Sequence, residues 1–323
     1  MAIKIIQPGL ATTVQDRGRT GYYHLGVPQG GALDQYSYEL GNALVGNRNG
    51  EAVLECAYLG PEFEALEPTV VAITGAPVEV KVNGEPRPAW TRLELQTGDR
   101  LSFGIISAGM RYFIAVAGGI DVPEVLGSRS TFLTSGLGGF EGRKLQAGDV
   151  VPVGEPGALP AVASLEDRHR PEFGGSQQVR VVLGLYDHLL TEDGLAAFTG
   201  EEWTLTPVAD RTGLRYDGPG VTWKEREQPF GAGSDPSNIV DAGYAVGSIQ
   251  IPGGKQPIIL HRDAVSAGGY AMVATVISAD MDLVARSAPG TRTRFIPVDI
   301  EEAVEARKTR AAALAEALAS VTS

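Results

Sequence analysis

The chain has 323 residues, of which 43% are hydrophobic and 20% are charged. These fractions are close to the average for globular proteins and exclude a wholly disordered or collagen-like chain. The formal net charge of −12 would repel the phosphates of nucleic acids and the surface of anionic membranes. We therefore expect neither a nucleic acid nor a membrane as a partner.

The cysteine content and the hydropathy pattern point to a reducing compartment. Cys56 is the only cysteine, so no disulfide can form within the chain. No run of 18 apolar residues is present, and the apolar stretch at 1–6 is too short for the core of a signal peptide. We expect a cytoplasmic protein.

Short apolar segments alternate with turn-forming residues along the chain, which contains 42 glycines and 20 prolines. Asn83-Gly84 supplies the positive φ angles that a tight hairpin needs. The pattern therefore predicts a mainly β protein with many short strands. The strand candidates are 3–6, 69–73, 78–82, 111–117, 179–183, 257–260, 271–277 and 292–298.

Few segments have helical periodicity. Asp34 can cap a helix that places Tyr36, Leu40 and Leu44 on one face. Asp187 opens a second helical stretch that reaches Phe198. Residues 299–320 are rich in alanine and glutamate and predict a C-terminal helix.

The domain organisation follows from a change of composition near the middle of the chain. Residues 154–176 lose the strand pattern and are rich in proline, glycine and charge, as an inter-domain connection would be. We predict an N-terminal domain at 1–160, a C-terminal domain at 176–300 and a helical tail at 301–323. The two domains show a faint repeat, because VQDRG at 14–18 is similar to VADRT at 208–212.

Several common nucleotide and nucleophile sites are excluded by spacing. The only Gly-Lys pair, Gly254-Lys255, is followed by Gln256 and lacks the earlier glycine of a P-loop, so ATP would have to bind by other means. Glu141 occupies the place of the third glycine of a dinucleotide fingerprint. A nucleophile elbow has a glycine two positions before its serine and another two positions after it, and neither Ser248 nor Ser266 has both.

Metal and biotin sites are disfavoured in the same way. The four histidines are far apart in sequence and have no cysteine or histidine at ligand spacing, so we expect no metal. A biotin attachment site needs a lysine between methionines, and none of the methionines has one beside it. This chain therefore has no biotin attachment site of its own.

Two polar, glycine-rich stretches are too specific to be simple turns. The first is QPGLATTVQDRGRTGY at 7–22, and the second runs from GSIQIP at 247–252 to ATVISAD at 274–280. Two further motifs, AVAGGID at 115–121 and LGSRST at 126–131, lie between them. In this order they closely resemble the allophanate hydrolase subunit 2 family, which is also the second half of the biotin-dependent carboxyltransferase domain. The family includes the 5-oxoprolinase C subunit and the antagonist of the sporulation kinase inhibitor. The resemblance covers nearly the whole chain.

This resemblance implies two related cyclophilin-like β-barrel domains with a few helices. It also implies a sister subunit of the type of allophanate hydrolase subunit 1 or the 5-oxoprolinase B subunit, and in 5-oxoprolinase a third, lactam-utilising subunit. In that complex, pyroglutamate is opened to glutamate at the expense of ATP. In urea amidolyases the two halves are fused and transfer a carboxylate from biotin to urea.

Three departures from the family pattern lie in the second half of the chain. Thr212 stands where the family usually has methionine after Asp-Arg. VSAGG at 265–269 replaces a pair of threonines before the double glycine, and LGLY at 183–186 replaces a usual Gly-Pro-Gln. These departures leave the substrate open and would suit a paralogue that acts on another amide.

The candidate residues between 250 and 263 supply polar and charged groups for a site where negative charge develops on a carbonyl oxygen. Arg17, Arg129 and Arg211 are candidates because a guanidinium can bind a phosphate or carboxylate with two hydrogen bonds. We predict catalytic roles for Gln250, Lys255, Gln256 and Asp263, and substrate-binding roles for Arg17, Arg129, Arg211, Arg262 and Tyr270. Strand alternation cannot place all of the residues between 250 and 263 on one side. The alternative for residues 250–263 is a solvent-exposed hairpin whose polar side chains face water. The arginines can instead form structural ion pairs with neighbouring aspartates. Tyr270 can instead be a packing residue.

Three functional hypotheses follow. The first is the C subunit of an ATP-dependent 5-oxoprolinase, which would be inactive without its partners. The second is a carboxyltransferase half that acts with a biotin carrier on urea or a related amide. The third is a regulatory protein that binds a sister subunit and has no chemistry of its own.

Overall fold

The computed structural model describes residues 1–322, and the prediction of a mainly β protein with few helices is confirmed. Within these residues there are twenty β-strands and four α-helices. The helices are α1 (Gln35–Leu44), α2 (Glu192–Gly200), α3 (Met281–Arg286) and α4 (Ile300–Thr322). No helix among the described residues is long and apolar enough to cross a membrane.

The chain forms two compact units, and the first contains residues 1–20, 30–173 and the chain from 312 onward. Its strands form a six-stranded sheet in the order β11-β1-β4-β9-β6-β7 and a five-stranded sheet in the order β2-β3-β10-β5-β8. The strands are β1 (Ala2–Gln7), β2 (Ala11–Gln15), β3 (Val53–Ala57), β4 (Glu62–Ala65), β5 (Thr69–Gly75), β6 (Val80–Val82), β7 (Glu85–Arg87), β8 (Arg92–Leu95), β9 (Arg100–Phe103), β10 (Arg111–Val116) and β11 (Val150–Pro152).

Strand β10 is buried along its whole length because both of its faces are covered. Ile114 and Val116 belong to an apolar cluster that also contains residues of the six-stranded sheet, such as Ile5. Phe113 and Ala115 point to the opposite face and pack in a cluster with α1 and the last turns of α4. The period of two in the side-chain directions thus divides the core of this unit into two layers.

The second unit contains residues 21–29 and 174–311. Seven of its strands form a closed barrel in the order β12-β19-β16-β17-β14-β13-β20, and β15 pairs with β18 in a separate ribbon. The strands are β12 (Ser176–Leu183), β13 (Trp203–Ala209), β14 (Gly213–Asp217), β15 (Asn238–Gly243), β16 (Ser248–Gln250), β17 (Ile258–Leu260), β18 (Ala267–Tyr270), β19 (Met272–Val276) and β20 (Arg292–Pro297).

Aromatic side chains fill the barrel and anchor α2. Phe198 of α2 stacks on Phe295 of β20 with 4.9 Å between ring centroids. Trp203 is fully buried, and its indole nitrogen donates a hydrogen bond to the carbonyl of Phe198 over 3.0 Å. These contacts fix the C-terminal part of α2 against the barrel.

The local sequence signals are mostly confirmed. Asn83 and Gly84 have φ angles of 52° and 86° and form the turn between β6 and β7. Asp34 caps α1, since its carboxylate accepts a hydrogen bond from the amide of Ser37. All eight strand candidates overlap strands of the structure.

The start of the second helix differs from the prediction. Residues Asp187–Leu189 form a short 3-10 turn, and α2 begins only after Thr191, whose hydroxyl accepts a hydrogen bond from the amide of Gly194. Leu190 is extended because it forms a β-bridge with Trp223. This pairing interrupts the helix that the periodicity predicted from Asp187. The predicted domain bounds 1–160, 176–300 and 301–323 stay predictions.

A buried aspartate joins two of the sequence motifs in the first unit. Asp16 follows β2 and is 6% exposed. One of its oxygens accepts hydrogen bonds from the amide of Gly18 and the hydroxyl of Ser128, both over 2.7 Å, and from the hydroxyl of Ser130. The other oxygen accepts from the amide of Arg129 over 2.6 Å. One carboxylate therefore holds together the loops at 16–18 and 128–130.

The same local turn recurs in the second unit, at the site of the sequence repeat. Asp210 follows β13, and one of its oxygens accepts from the amides of Thr212 (2.7 Å) and Gly213 (3.1 Å). Asp210 is exposed, and no hydroxyl group donates to it among the described residues. The faint repeat thus reflects a shared turn whose surroundings differ.

The two turns predict different responses to the same substitution. In Asp16→Asn, an amide nitrogen would face donors that need an acceptor, so we expect a loss of about 1–3 kcal/mol in the free energy of unfolding and a fall of several degrees in Tm. In Asp210→Asn, one oxygen still accepts both amides, so Tm should stay within about 1 °C of wild type. Thermal denaturation checks this pair, and equal losses in the two variants would contradict the role given to Asp16.

A largely buried carboxylate of the first unit, that of Asp149, gives a pH-dependent prediction. Both guanidinium nitrogens of Arg143 donate to Asp149, over 2.8 and 3.0 Å, and the amide of Gln146 donates to the same carboxylate. The hydrogen bonds from Arg143 are the main cause that lowers the pKa of Asp149. The stabilisation is therefore complete above the unfolded-state pKa of about 3.9 and is lost as the pH falls through the lower folded-state pKa.

We expect Asp149→Asn to melt below wild type at pH 7 and the gap between the two Tm values to close as the pH falls below about 3.9. Melting curves at half-unit pH steps from 7 to 2.5 would measure this gap. A gap that is constant over the whole range would show that the charge of Asp149 does not stabilise the fold.

Candidate functional site

A cleft of about 740 Å³ in the second unit brings two of the predicted catalytic residues together. One wall is the first part of α2, with Asp193, Gly194 and Ala197, and another is the segment 217–222, which begins at the last residue of β14. Residues 254–256, which precede β17, form the third wall and contribute Lys255 and Gln256. Carboxylate, ammonium and carboxamide groups therefore line one cleft.

The carboxamide of Gln256 is held at both ends. Its oxygen accepts a hydrogen bond from the guanidinium of Arg215 over 3.1 Å, and its nitrogen donates to the carboxylate of Asp217. Arg215 and Asp217 lie on β14, next to the strand that Gln256 precedes. Because both polar ends are engaged, Gln256 keeps a fixed orientation and links a cation to an anion at the cleft.

The ammonium group of Lys255 is in the opposite situation. Among residues 1–322 it has no ion pair and no hydrogen bond from its side chain, although Asp193 and Asp217 line the same cleft. Its side chain is exposed. Lys255 is therefore a cation of the cleft that remains available to a ligand.

Glycine is required where the walls meet. Gly254 has a φ of 70°, and a Cβ atom there would lie 2.4 Å from the carbonyl oxygen of Val221. The amide of Val221 in turn donates to the carbonyl of Gly254 over 2.6 Å. No side chain fits at this position without moving the backbone, so Gly254 fixes the distance between two walls of the cleft.

Arg211 and Asp263 form a two-pronged ion pair, with 2.8 and 2.9 Å between the bonded nitrogens and oxygens. Asp263 is 7% exposed. Both carboxylate oxygens of Asp263 are bonded to the guanidinium, so the pair ties the turn after β13 to the loop after β17.

The remaining candidates of this unit lie in different surroundings. Gln250 ends β16 and is 5% exposed, on the strand face opposite to Ile249, which packs in the barrel core. The amide of Arg262 donates to the ring nitrogen Nδ1 of His261. Tyr270 ends β18 and is 44% exposed. The hydroxyl of Tyr244 donates to the backbone carbonyl of Tyr270 and accepts from its backbone amide. Burial raises the pKa of Tyr244.

Arg17 and Arg129 belong to the first unit. Arg17 is half exposed, and its guanidinium lies 3.5 Å from the carboxylate of Glu39. Arg129 donates to the carbonyl of Val122 over 2.9 Å and to the carboxylate of Glu124 over 3.0 Å. Arg129 thus binds its own loop, and the substrate-binding role of both arginines stays a prediction.

Arg215, Asp217 and Asp193 were not among the residues predicted from the sequence. Arg215 and Asp217 alternate with buried Leu214 and Tyr216, as outward-facing residues of a half-buried strand do. The sequence DGPG at 217–220 that follows is a turn signal that marks where this strand ends and the cleft begins. Asp193 lies in the first turn of α2, which the prediction placed within a longer helix.

Comparison with known proteins agrees with the motifs. The family model of the carboxyltransferase domain, subdomain A and B, matches residues 25–297. The 5-oxoprolinase C subunit of Escherichia coli is 36% identical over 311 residues, which cover 95% of this chain and 94% of that protein. The urea amidolyase of Lachancea kluyveri is 32% identical over 326 residues, which cover 97% of this chain and 18% of that protein.

A solved structure of a urea carboxylase is also similar to this chain. The urea carboxylase of Kluyveromyces lactis matches with a TM-score of 0.91 and 33% identity over 97% of this chain and 29% of that one. The chain spans 17% to 25% of the length of the urea amidolyase and urea carboxylase relatives found by sequence. On the extent of the family match and on these relatives, the chain belongs to the carboxyltransferase-domain family, subdomains A and B.

Proposed function

We propose that the chain is a subunit of an ATP-dependent complex that hydrolyses a cyclic amide, of the type of the 5-oxoprolinase C subunit. The cleft at Lys255 and Gln256 is the observation that carries this proposal. It combines a fixed carboxamide with an ammonium group that no side chain of the described residues engages. The 36% identity to the 5-oxoprolinase C subunit of Escherichia coli supports this choice of reaction.

Opening a lactam ring develops negative charge on the carbonyl oxygen, and fixed donors lower the barrier most when they do not need to reorganise. Gln256 is held by Arg215 and Asp217, and the second N–H of its amide group, which Asp217 does not use, would be the donor to the carbonyl oxygen. Activation of the lactam by ATP would fall to partner subunits, because the chain lacks a P-loop sequence. The complex would contain a sister subunit of the type of the 5-oxoprolinase B subunit and a lactam-utilising subunit, and we propose a cytoplasmic location for it.

A carboxyltransferase that acts on urea is the second candidate. The TM-score of 0.91 to the urea carboxylase of Kluyveromyces lactis over 97% of this chain favours it. In that case biotin would be attached to another chain or domain, because no methionine of this chain is beside a lysine. Carboxyl transfer to an amide nitrogen also develops charge on a carbonyl oxygen, so the same cleft would serve.

Reconstitution separates the two candidates and tests the need for partners. We expect the purified chain alone to hydrolyse neither ATP nor 5-oxoproline, and the complex with its sister and lactam-utilising subunits to release glutamate from 5-oxoproline with ATP. We also expect a stable complex that elutes as one species in size exclusion, with an interface above about 1,000 Å². Turnover by the isolated chain, or activity that appears only with a biotin carboxylase and urea, would contradict the first candidate.

A single substitution tests the cleft. In the reconstituted complex, Gln256→Ala releases Arg215 and Asp217 from each other, and we expect turnover to fall about 100-fold while Tm stays near wild type. Gln178→Ala, at an exposed position of β12 outside the cleft, should retain full activity. If the Gln256 variant keeps at least half of the wild-type turnover, the site lies elsewhere, and Arg211 with Asp263 becomes the better candidate.

A further inference from the structure

Two Asn-Gly pairs lie in turns of the first unit, and their surroundings differ. Asn49-Gly50 lies between α1 and β3, and Asn83-Gly84 lies between β6 and β7. In such a pair the backbone nitrogen of the glycine can attack the carbonyl carbon of the asparagine side chain. Glycine favours this attack, because it has no side chain in the way and its backbone rotates freely. The contacts of each carboxamide therefore decide which pair reacts.

The carboxamide of Asn83 is held at both ends. Its nitrogen donates to the carboxylate of Asp99 over 2.8 Å, and its oxygen accepts from the backbone amide of Arg100 over 2.9 Å. The backbone amide of Asn83 also donates to the carbonyl of Arg100 over 2.8 Å. Both side-chain hydrogen bonds must break before the carboxamide can turn toward Gly84, so this turn opposes the attack.

The carboxamide of Asn49 is not held in this way. Within residues 1–322, no hydrogen bond involves its side chain or the backbone amide of Gly50. Asn49 is exposed and lines a cavity of about 390 Å³, so water reaches its side chain. The space beside Gly50 is open as well, since a Cβ atom there would meet no atom beyond the adjacent residues closer than 4.0 Å. The attacking nitrogen and the carbonyl carbon can therefore approach each other.

The chain on either side of this pair is anchored. The side chain of Asn47 accepts a hydrogen bond from the amide of Gly118 over 2.7 Å. The backbone carbonyl of Glu51 accepts from the hydroxyl of Tyr38 over 2.8 Å and from the side chain of Asn42 over 3.0 Å. The Asn-Gly pair is therefore the unheld tip of a turn whose two ends are fixed.

We propose that Asn49 is a site of spontaneous deamidation and that Asn83 is protected from the same reaction. The nitrogen of Gly50 gives its proton to the solvent and bonds to the side-chain carbonyl carbon of Asn49. The bond from this carbon to the amide nitrogen breaks, and ammonia leaves with a proton from the solvent. Water then opens the resulting succinimide ring at either carbonyl and gives aspartate or isoaspartate. Each conversion consumes a water molecule and releases an ammonia molecule, and it needs no oxidant.

The two products affect the first unit differently. Either one adds a negative charge to the cavity that Glu39 also lines. Isoaspartate in addition lengthens the main chain by a methylene group between the anchors at Asn47 and Glu51. We expect the isoaspartate form to melt about 2–4 °C below the variant Asn49→Asp, as for the loss of one anchoring hydrogen bond. This variant has the same charge and a main chain of normal length, so equal Tm values would contradict the effect of the anchors.

The two pairs can be compared within one sample. Trypsin places one pair in the peptide 49–81 and the other in the peptide 82–92. The purified protein is incubated in mildly alkaline buffer, either native or in guanidinium chloride, and mass spectrometry of each peptide measures the conversion of amide to acid. In guanidinium chloride, where the contacts are lost, the two pairs should react at similar rates. In the native protein we expect Asn49 to stay within about twofold of its denatured rate and Asn83 to slow about tenfold.

Glutamine variants are the matched controls, because glutamine keeps the carboxamide but forms the corresponding ring far more slowly. The acidic species that anion exchange separates from aged protein should disappear in Asn49→Gln and persist in Asn83→Gln. Asp99→Ala removes the acceptor of the Asn83 carboxamide. It should accelerate deamidation in the peptide 82–92 severalfold and leave the peptide 49–81 unchanged.

Two outcomes would overturn the inference. Equal slowing of both pairs in the native protein would show that the turn at Asn49 also holds its carboxamide. A native rate of Asn83 equal to its denatured rate would show that the contacts with Asp99 and Arg100 give no protection. Neither measurement depends on turnover, so this inference can stand or fall independently of the proposed hydrolysis of a cyclic amide.

Discussion

The backbone contact between Gly254 and Val221 is the constraint on which the candidate site depends. The amide of Val221 donates to Gly254 over 2.6 Å, and the space on the other side of Gly254 is closed by the carbonyl of Val221. A residue with a side chain would have to push two backbone segments apart, in addition to adopting an unfavourable positive φ. This contact fixes the backbone just before Lys255 and Gln256, and thereby the directions of their side chains.

The electrostatics of the cleft divide its side chains into two kinds. Arg215, Gln256 and Asp217 form one connected set in which each polar end meets a complementary group. Such a set resists reorientation, which suits a group that must be in place before charge develops on a substrate. Lys255 is outside this set, so its charge can be neutralised by a ligand at no cost to the structure. One turn therefore contains a carboxamide bonded at both ends, Gln256, next to an ammonium group that no described residue engages, Lys255.

The features that could be predicted from the sequence depend on near neighbours. The hairpin at Asn83-Gly84 and the cap at Asp34 are set by the conformational preferences of residues at fixed offsets. The late start of α2 could not be predicted, since it depends on a bridge between Leu190 and Trp223, which are 33 positions apart. Local helical periodicity contains no information about such a partner.

The same limit applies to the site. Lys255 and Gln256 were candidates because polar residues cluster at 250–263, but that cluster also contained Gln250, which the strand places in a buried position. Gln256 obtains its orientation from Asp217, 39 positions earlier, and this pairing requires β14 and β17 to lie side by side. Only the register of the barrel brings these residues together.

The repeated Asp-Arg turn shows how one local structure serves two purposes. In the first unit, serine hydroxyls and backbone amides surround Asp16, and the buried carboxylate holds distant loops. In the second unit, Asp210 accepts from backbone amides of its own turn, and the long-range contact is made by the next residue, Arg211, with Asp263. Because the turn geometry needs only the short-range bonds, it forms in two different surroundings. The second unit thus joins its loops by a charge pair where the first uses a buried hydrogen-bond network, and its aspartate remains exposed to solvent.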